Sequence, residues 1–157
     1  MYRRPVPAPF VPPGFTPPRR LAGDRFYLEP LSPRHNERDH DAWMSSIDHI
    51  RATPGFPWEG WPAPMPLEEN LRDLEQHAAD FRALAGFTYT VRSSNDGEVI
   101  GCVYIYPDPT GEHDALVRSW VRASHAKLDG DLHRVVTDWL ADAWPFARVS
   151  YAARGEG

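Results

Sequence analysis

Two stretches of the chain repeat their apolar residues with a helical period, and they anchor the reading of the rest. Leu67, Leu71, Leu74, Ala78, Phe81 and Leu84 recur at three- and four-residue steps, which predicts a helix over 67–84 that Gly86 would stop. Leu132, Val135, Val136, Trp139 and Leu140 mark a second amphipathic helix, closed by Pro145. Between them, residues 87–92 and 99–106 are β-rich runs around an Asn-Asp-Gly turn, the pattern of a hairpin. Residues 25–31 alternate apolar with polar and read as a strand. Ser32 and Pro33 signal a helix start, and residues 39–51 read as helical with Trp43, Ile47 and Ile50 on one face. Residues 115–121 and 148–153 read as two further strands. Residues 53–66 hold five prolines and two tryptophans, which predicts an irregular loop. The order strand, two helices, hairpin, strand, helix, strand describes an α+β domain with a mixed sheet. The helix joining the last two strands sets them parallel.

The proline pattern divides the chain. Seven of the 17 prolines fall in the first 18 residues, so the chain reads as a proline-rich extension over 1–24 and a domain over 25–157. Phe10, Val11 and Phe15 are candidates to pin the extension to the body; a proline-rich ligand for an aromatic groove is the sharper alternative. At 157 residues the chain is long enough for one core. It has no apolar run of membrane-spanning length and none after Arg3-Arg4 or Arg19-Arg20, which argues for a cytoplasmic protein without a cleaved leader. The single Cys102 excludes an internal disulfide and a multi-cysteine zinc site, and its apolar surroundings predict a buried thiol. Net charge is −5, but the four arginines of the first 20 residues leave 13 basic against 22 acidic residues in the remainder. An acidic body argues against nucleic acid and accords with a cationic partner such as an amine.

With the element order in place, the sequence resembles the GNAT family of N-acetyltransferases from Phe26 to Ala153. Residues 86–92 and 97–106 resemble the family's central hairpin. Ser119-Trp120-Val121, then residues 128–132, then the helix to Leu140, resemble the strand, turn and helix that hold acetyl-CoA. The resemblance implies a GNAT-like mixed β-sheet flanked by helices, and acetyl transfer from acetyl-CoA to a primary amine by direct attack. It assigns Trp120, Val121 and Arg122 to the strand end that pairs with the pantetheine arm. It assigns Lys127, Asp129, Gly130, Asp131 and Leu132 to the pyrophosphate turn, where a helix N-terminus offers free N–H groups. The family pattern there is Arg or Gln, two residues, Gly, one residue, then Gly or Ala. Here His125 and Leu128 replace the first two conserved types and only Gly130 matches. Asp129 and Asp131 would repel a pyrophosphate by about 1 kcal/mol per pair at 4 Å in water, which Lys127 and Arg122 would offset. The family's C-terminal elements are abbreviated, with four residues after Ala153; a homodimer would cover the open edge, or the tail folding back over it would.

For catalysis, Glu59 in the tryptophan-flanked loop is a candidate base with a raised pKa. Tyr89, Tyr104 and Arg118 would line the acceptor pocket, with core packing as the alternative for the tyrosines. Arg118 in an apolar strand calls for a carboxylate partner from the protein or a substrate. His35 to Asp41 is rich in metal-ligand types, yet a solvated helix start explains it without a metal, and none is expected. His77 reads as a solvated helix residue. The alternative to an enzyme is a non-catalytic GNAT-fold binding or dimerisation module that has lost coenzyme A.

Overall fold

The computed structural model describes residues 9–57 and 59–155. The first elements are the short strand β1 (Leu21–Ala22), β2 (Phe26–Pro30), α1 (Asn36–Met44) and α2 (Ile47–Ala52). There follow α3 (Leu67–Arg82), the hairpin β3 (Phe87–Ser93) and β4 (Val99–Pro107), β5 (Ala115–Val121), α4 (Asp129–Ala143) and β6 (Val149–Tyr151). The six strands form one sheet in sequence order. The first four seams are antiparallel and the β5–β6 seam is parallel, as the strand–helix–strand unit requires. The fold is α+β, a mixed sheet with helices on both faces.

Strand alternation sends side chains to two cores. On one face, Val103, Ile105, Val117 and Val121 pack under Leu132, Val136, Trp139 and Leu140 of α4. On the other, Cys102 and Trp120 pack under Trp43, Ile50 and Leu74 of the first three helices. The proline-rich segment joins the first core from residue 10 onward. Phe10 stacks on Phe87 and Phe146, Val11 is buried, and Phe15 packs on Trp144. Tyr89 donates its hydroxyl proton to the Pro18 carbonyl at 2.5 Å. Residues 1–8, with the rest of that proline pattern, lie outside the described residues. Among the described residues no helix is long and apolar enough to cross a membrane.

The helix expected over 39–51 is two helices. The break falls at Ser45–Ser46, where Ser45 Oγ donates to the Ala42 carbonyl and Ser46 leaves helical geometry. Ser46 Oγ accepts the Ala123 N–H at 2.9 Å, so the break is tied to the end of β5. Gly86 also does different work from the one expected. Leu84 adopts φ +57° and ends α3 itself, with the Ala85 N–H donating to the Asp80 carbonyl. A Cβ at position 86 would stand 2.1 Å from the Tyr106 ring, so glycine is required there for close packing.

Candidate active site

A cleft of about 570 Å³ opens between the helical layer and the sheet. The register of the central strands determines what faces it. Tyr104 and Tyr106 of β4 and Leu116 and Arg118 of β5 point to this side, opposite Val103, Ile105 and Val117. The proline-rich loop forms one wall. Its Trp61 lies within 6.5 Å, centroid to centroid, of Trp43, Phe56, Tyr104 and Trp120. Asp39 of α1 and Asn70, Asp73 and His77 of α3 complete the polar lining.

These polar groups are held in unusual states. Asp39 is buried and accepts one hydrogen bond from Asn70 Nδ2 at 3.2 Å, while Asn70 Oδ1 accepts from Trp43 Nε1. Desolvation pushes the Asp39 carboxyl up to about 6, against the opposing Asn70 bond. Asp73 is raised for the same reason. Burial lowers His77, which keeps the imidazole neutral near pH 7. Its tautomer follows from its neighbours: Tyr106 gives its hydroxyl proton to Asp80 Oδ2 at 2.9 Å. The contact of 2.9 Å between His77 Nδ1 and the same hydroxyl oxygen then requires a proton on Nδ1, shared with Thr88 Oγ1 at 3.0 Å. Nε2 is left as the basic nitrogen. Tyr104 accepts from Trp120 Nε1 at 2.9 Å, and burial holds its phenol firmly protonated.

Arg118 differs from its peers. Four described arginines are half-buried. Arg92 pairs with Glu29 at 2.9 Å, Arg122 with Asp41 at 2.9 Å and Arg154 with Asp129 at 2.7 Å. Arg118 has no such partner among the described residues, and its Nε is buried without an acceptor.

On the far side of β5 lies the seam with β6. The two strands pair only from Ala115 to Val117 and separate beyond Tyr151. Arg122 donates its N–H across the β4 seam to Ile100, so by alternation Ser119 and Val121 turn their amides toward the gap. Arg154 fills it. Its Nη2 donates to the Ser119 carbonyl at 2.9 Å, its Nε donates to Asp129, and Tyr151 and Ser119 share a hydroxyl bond of 2.5 Å. The turn before α4 is a 3₁₀ segment over Ala123–Leu128, in and beside which the N–H groups of Ala123, His125 and Asp129 donate to Ser46 Oγ and to the Arg122 and Ala126 carbonyls.

This geometry tests the fit of coenzyme A. The parted edge of β5 suits a pantetheine arm once Arg154 moves. A Cβ on Gly130 would meet nothing within 4 Å, so space exists beside the helix start. The repulsion expected from Asp131 is offset by Arg25 at 3.0 Å and Arg134 at 3.1 Å, whereas Asp129 is neutralised only while Arg154 stays in the gap. Leu128 is buried in place of the family's first glycine.

Of the residues singled out from sequence, Glu59, Tyr104 and Arg118 come together around the cleft. Glu59 is exposed at its edge; its flanking Trp58 lies outside the described residues. Tyr89 faces the opposite core, against Trp139. Trp120 and Arg122 do not offer the donor-side edge: the Trp120 carbonyl faces Gly101 of β4, and Arg122 reaches back to Asp41 and Ser45. The Val121 amide faces the β6 side by alternation, Lys127 is exposed, and Leu132 is core. His35, Asp39 and His40 turn to separate partners, Glu29, Asn70 and the Met65 carbonyl. His77 is half-buried in the cleft and not a solvated helix residue. Sequence reasoning missed Asp39, Asp73, His77 and the Arg154 plug. The i, i+4 spacing of Asp39 with buried Trp43, and of Asp73 with His77, carried the signal for the first three.

No family model matches the chain, and no curated protein matches it significantly. Solved structures do match. A ribosomal-protein-S5-alanine acetyltransferase from Vibrio fischeri superposes with TM-score 0.65 at 16% identity, over 84% of this chain and 72% of that one. The microcin C7 self-immunity acetyltransferase MccE, solved with acetyl-CoA and AMP, gives 0.59 at 15%, over 76% and 63%. A GNAT-family acetyltransferase structure from Bordetella pertussis gives 0.54 at 15%, over 80% and 74%. Such likenesses, combined with the strand order and the parted β5–β6 seam, establish that the chain has the GNAT acetyltransferase fold.

Proposed function

We propose that the protein is an N-acetyltransferase whose acceptor amine enters the cleft while acetyl-CoA lies along β5. The single observation that carries this reading is the placement of a neutral His77, with Nε2 unprotonated, and a raised Asp39 in a cleft flanking the strand whose other edge is parted from β6. Acetyl-CoA supplies an acyl thioester open to attack by a neutral amine. Asp39 and Asp73, with Glu59 at the mouth, favour an ammonium group in the cleft. His77 Nε2 takes the proton that the attacking nitrogen must lose, and the Tyr106–Asp80 chain holds the ring in that tautomer. Tyr104 keeps its proton and acts as a hydrogen-bond donor, not a base. The edge of β5 at Ser119 and Val121 would hold the pantetheine, with Lys127 and the turn at Gly130 beside the phosphates. A cytoplasmic setting and a homodimer complete the proposal.

The test has two arms. Calorimetry with millimolar acetyl-CoA on the wild type and on Arg154→Ala should register binding in at least one. Wild type incubated with a panel of small primary amines should release free coenzyme A thiol, and His77→Gln should cut that rate by a factor of about 10² to 10⁴. The Arg154 plug favours a second reading, a ligand-binding module that has lost the donor. Absence of any calorimetric signal from both proteins selects it.

A further inference from the structure

We infer that the acceptor carries an anionic group besides its amine, and that Arg118 binds that group as a carboxylate or a phosphate. The inference rests on reading the cleft as the acceptor site and names the class of molecule it takes. Arg118 sits in β5 between Leu116 and Trp120, and Leu116 and Phe56 line the cleft around it. Its Nε is buried there and has no acceptor among the described residues. Proteins meet the cost of such burial with a carboxylate, as this chain does at Arg92, Arg122 and Arg154. Arg118 is left out, although Asp39, Asp73 and Glu59 line the same cleft. None lies within ion-pair distance of it among the described residues.

The cleft therefore keeps two unlike poles apart: carboxylates from the helices and loop, and one guanidinium from the strand. A molecule with both charges satisfies both poles at once. The amine goes to the acidic side, near His77, and the anion to Arg118, whose planar fork accepts a carboxylate or phosphate through paired N–H donors. A cleft of about 570 Å³ takes a small molecule of this kind.

Calorimetry without any acyl donor tests this directly. The probes are two matched pairs: 4-aminobutyrate against propylamine for the carboxylate, and phosphoethanolamine against ethanolamine for the phosphate. In the wild type the anionic member of at least one pair should bind about tenfold to a hundredfold tighter than its partner. The favoured pair names the anion. Arg118→Met should erase the difference, and Arg118→Lys should keep part of it. In anion-free buffer the Tm of Arg118→Met should match or exceed that of the wild type, because a methionine fills the space of the stem and removes an unpaired charge. Equal affinity within both pairs, no binding of either anionic probe at millimolar concentration, or a large fall in Tm for both Arg118 variants would overturn the inference. Binding without subsequent thiol release would leave it standing and count only against acetyl transfer.

Discussion

The cleft and the seam flank the same strand, and they treat charge in opposite ways. In the cleft, Arg118 lacks a partner among the described residues, Asp39 is pushed up to about 6 and His77 is held neutral by burial. In the seam, Asp129 is bonded to Arg154 and Asp131 to Arg25 and Arg134. On the reading proposed above, one side of β5 receives a charged visitor. The other is closed by the chain's own groups, which a visitor would have to displace. For an acetyltransferase this difference means that donor binding competes with an internal ligand, whereas acceptor binding does not.

Arg154→Ala attacks that difference most strongly. The pair with Asp129 is largely buried, the two side chains being 8% and 20% exposed. Removing one member strands a carboxylate and the Ser119 carbonyl, at a cost of about 3 to 5 kcal/mol. For a chain of this size Tm should drop by roughly 10 °C, read by differential scanning calorimetry. If the seam is a donor site, acetyl-CoA should restore part of that loss and bind the variant more tightly than the wild type. A drop that acetyl-CoA leaves untouched would mean that the plug is purely structural.

Much of the sheet is legible in the sequence, because the hairpin, β5 and the α4 periodicity each carry a local signal and the parallel last pair follows from chain connectivity. The α1–α2 break is not, since it depends on Ser46 meeting Ala123 from 77 residues away. The site is legible where residue type is itself unusual, as with Arg118 inside a strand. It is hidden where only register decides: Tyr89 and Tyr104 look alike in sequence, and pairing sends them to opposite faces. Arg154 lies beyond the last periodic element, and its role exists only because β6 parts from β5.

The cleft's stored charge has its own signature in pH. Asp39 has a folded value of about 6 against 3.8 in the unfolded chain. Between those values the unfolded state has released its proton and the folded state still holds it. Stability therefore falls as pH rises through this window and is flat above it. The span is worth about 3 kcal/mol. Asp39→Asn should flatten the wild-type slope in denaturant titrations between about pH 4 and pH 6. A slope that survives the substitution would place the charge elsewhere in the molecule.

The smallest effect separates the two regions most cleanly. Gly130 stands in the first turn of α4, and an added Cβ would meet nothing within 4 Å. Gly130→Ala should therefore stabilise the fold by about 0.5 kcal/mol, since alanine is the better helix former and no packing is disturbed. Tm should rise by about 1 to 2 °C. A pyrophosphate lying against that turn would meet the new methyl group, so acetyl-CoA affinity should fall about tenfold while Tm rises. Opposite signs in the two measurements would locate the donor at the start of α4. A rise in Tm with affinity unchanged would show that the open space beside Gly130 is solvent, and that the 3₁₀ turn is simply how this helix begins.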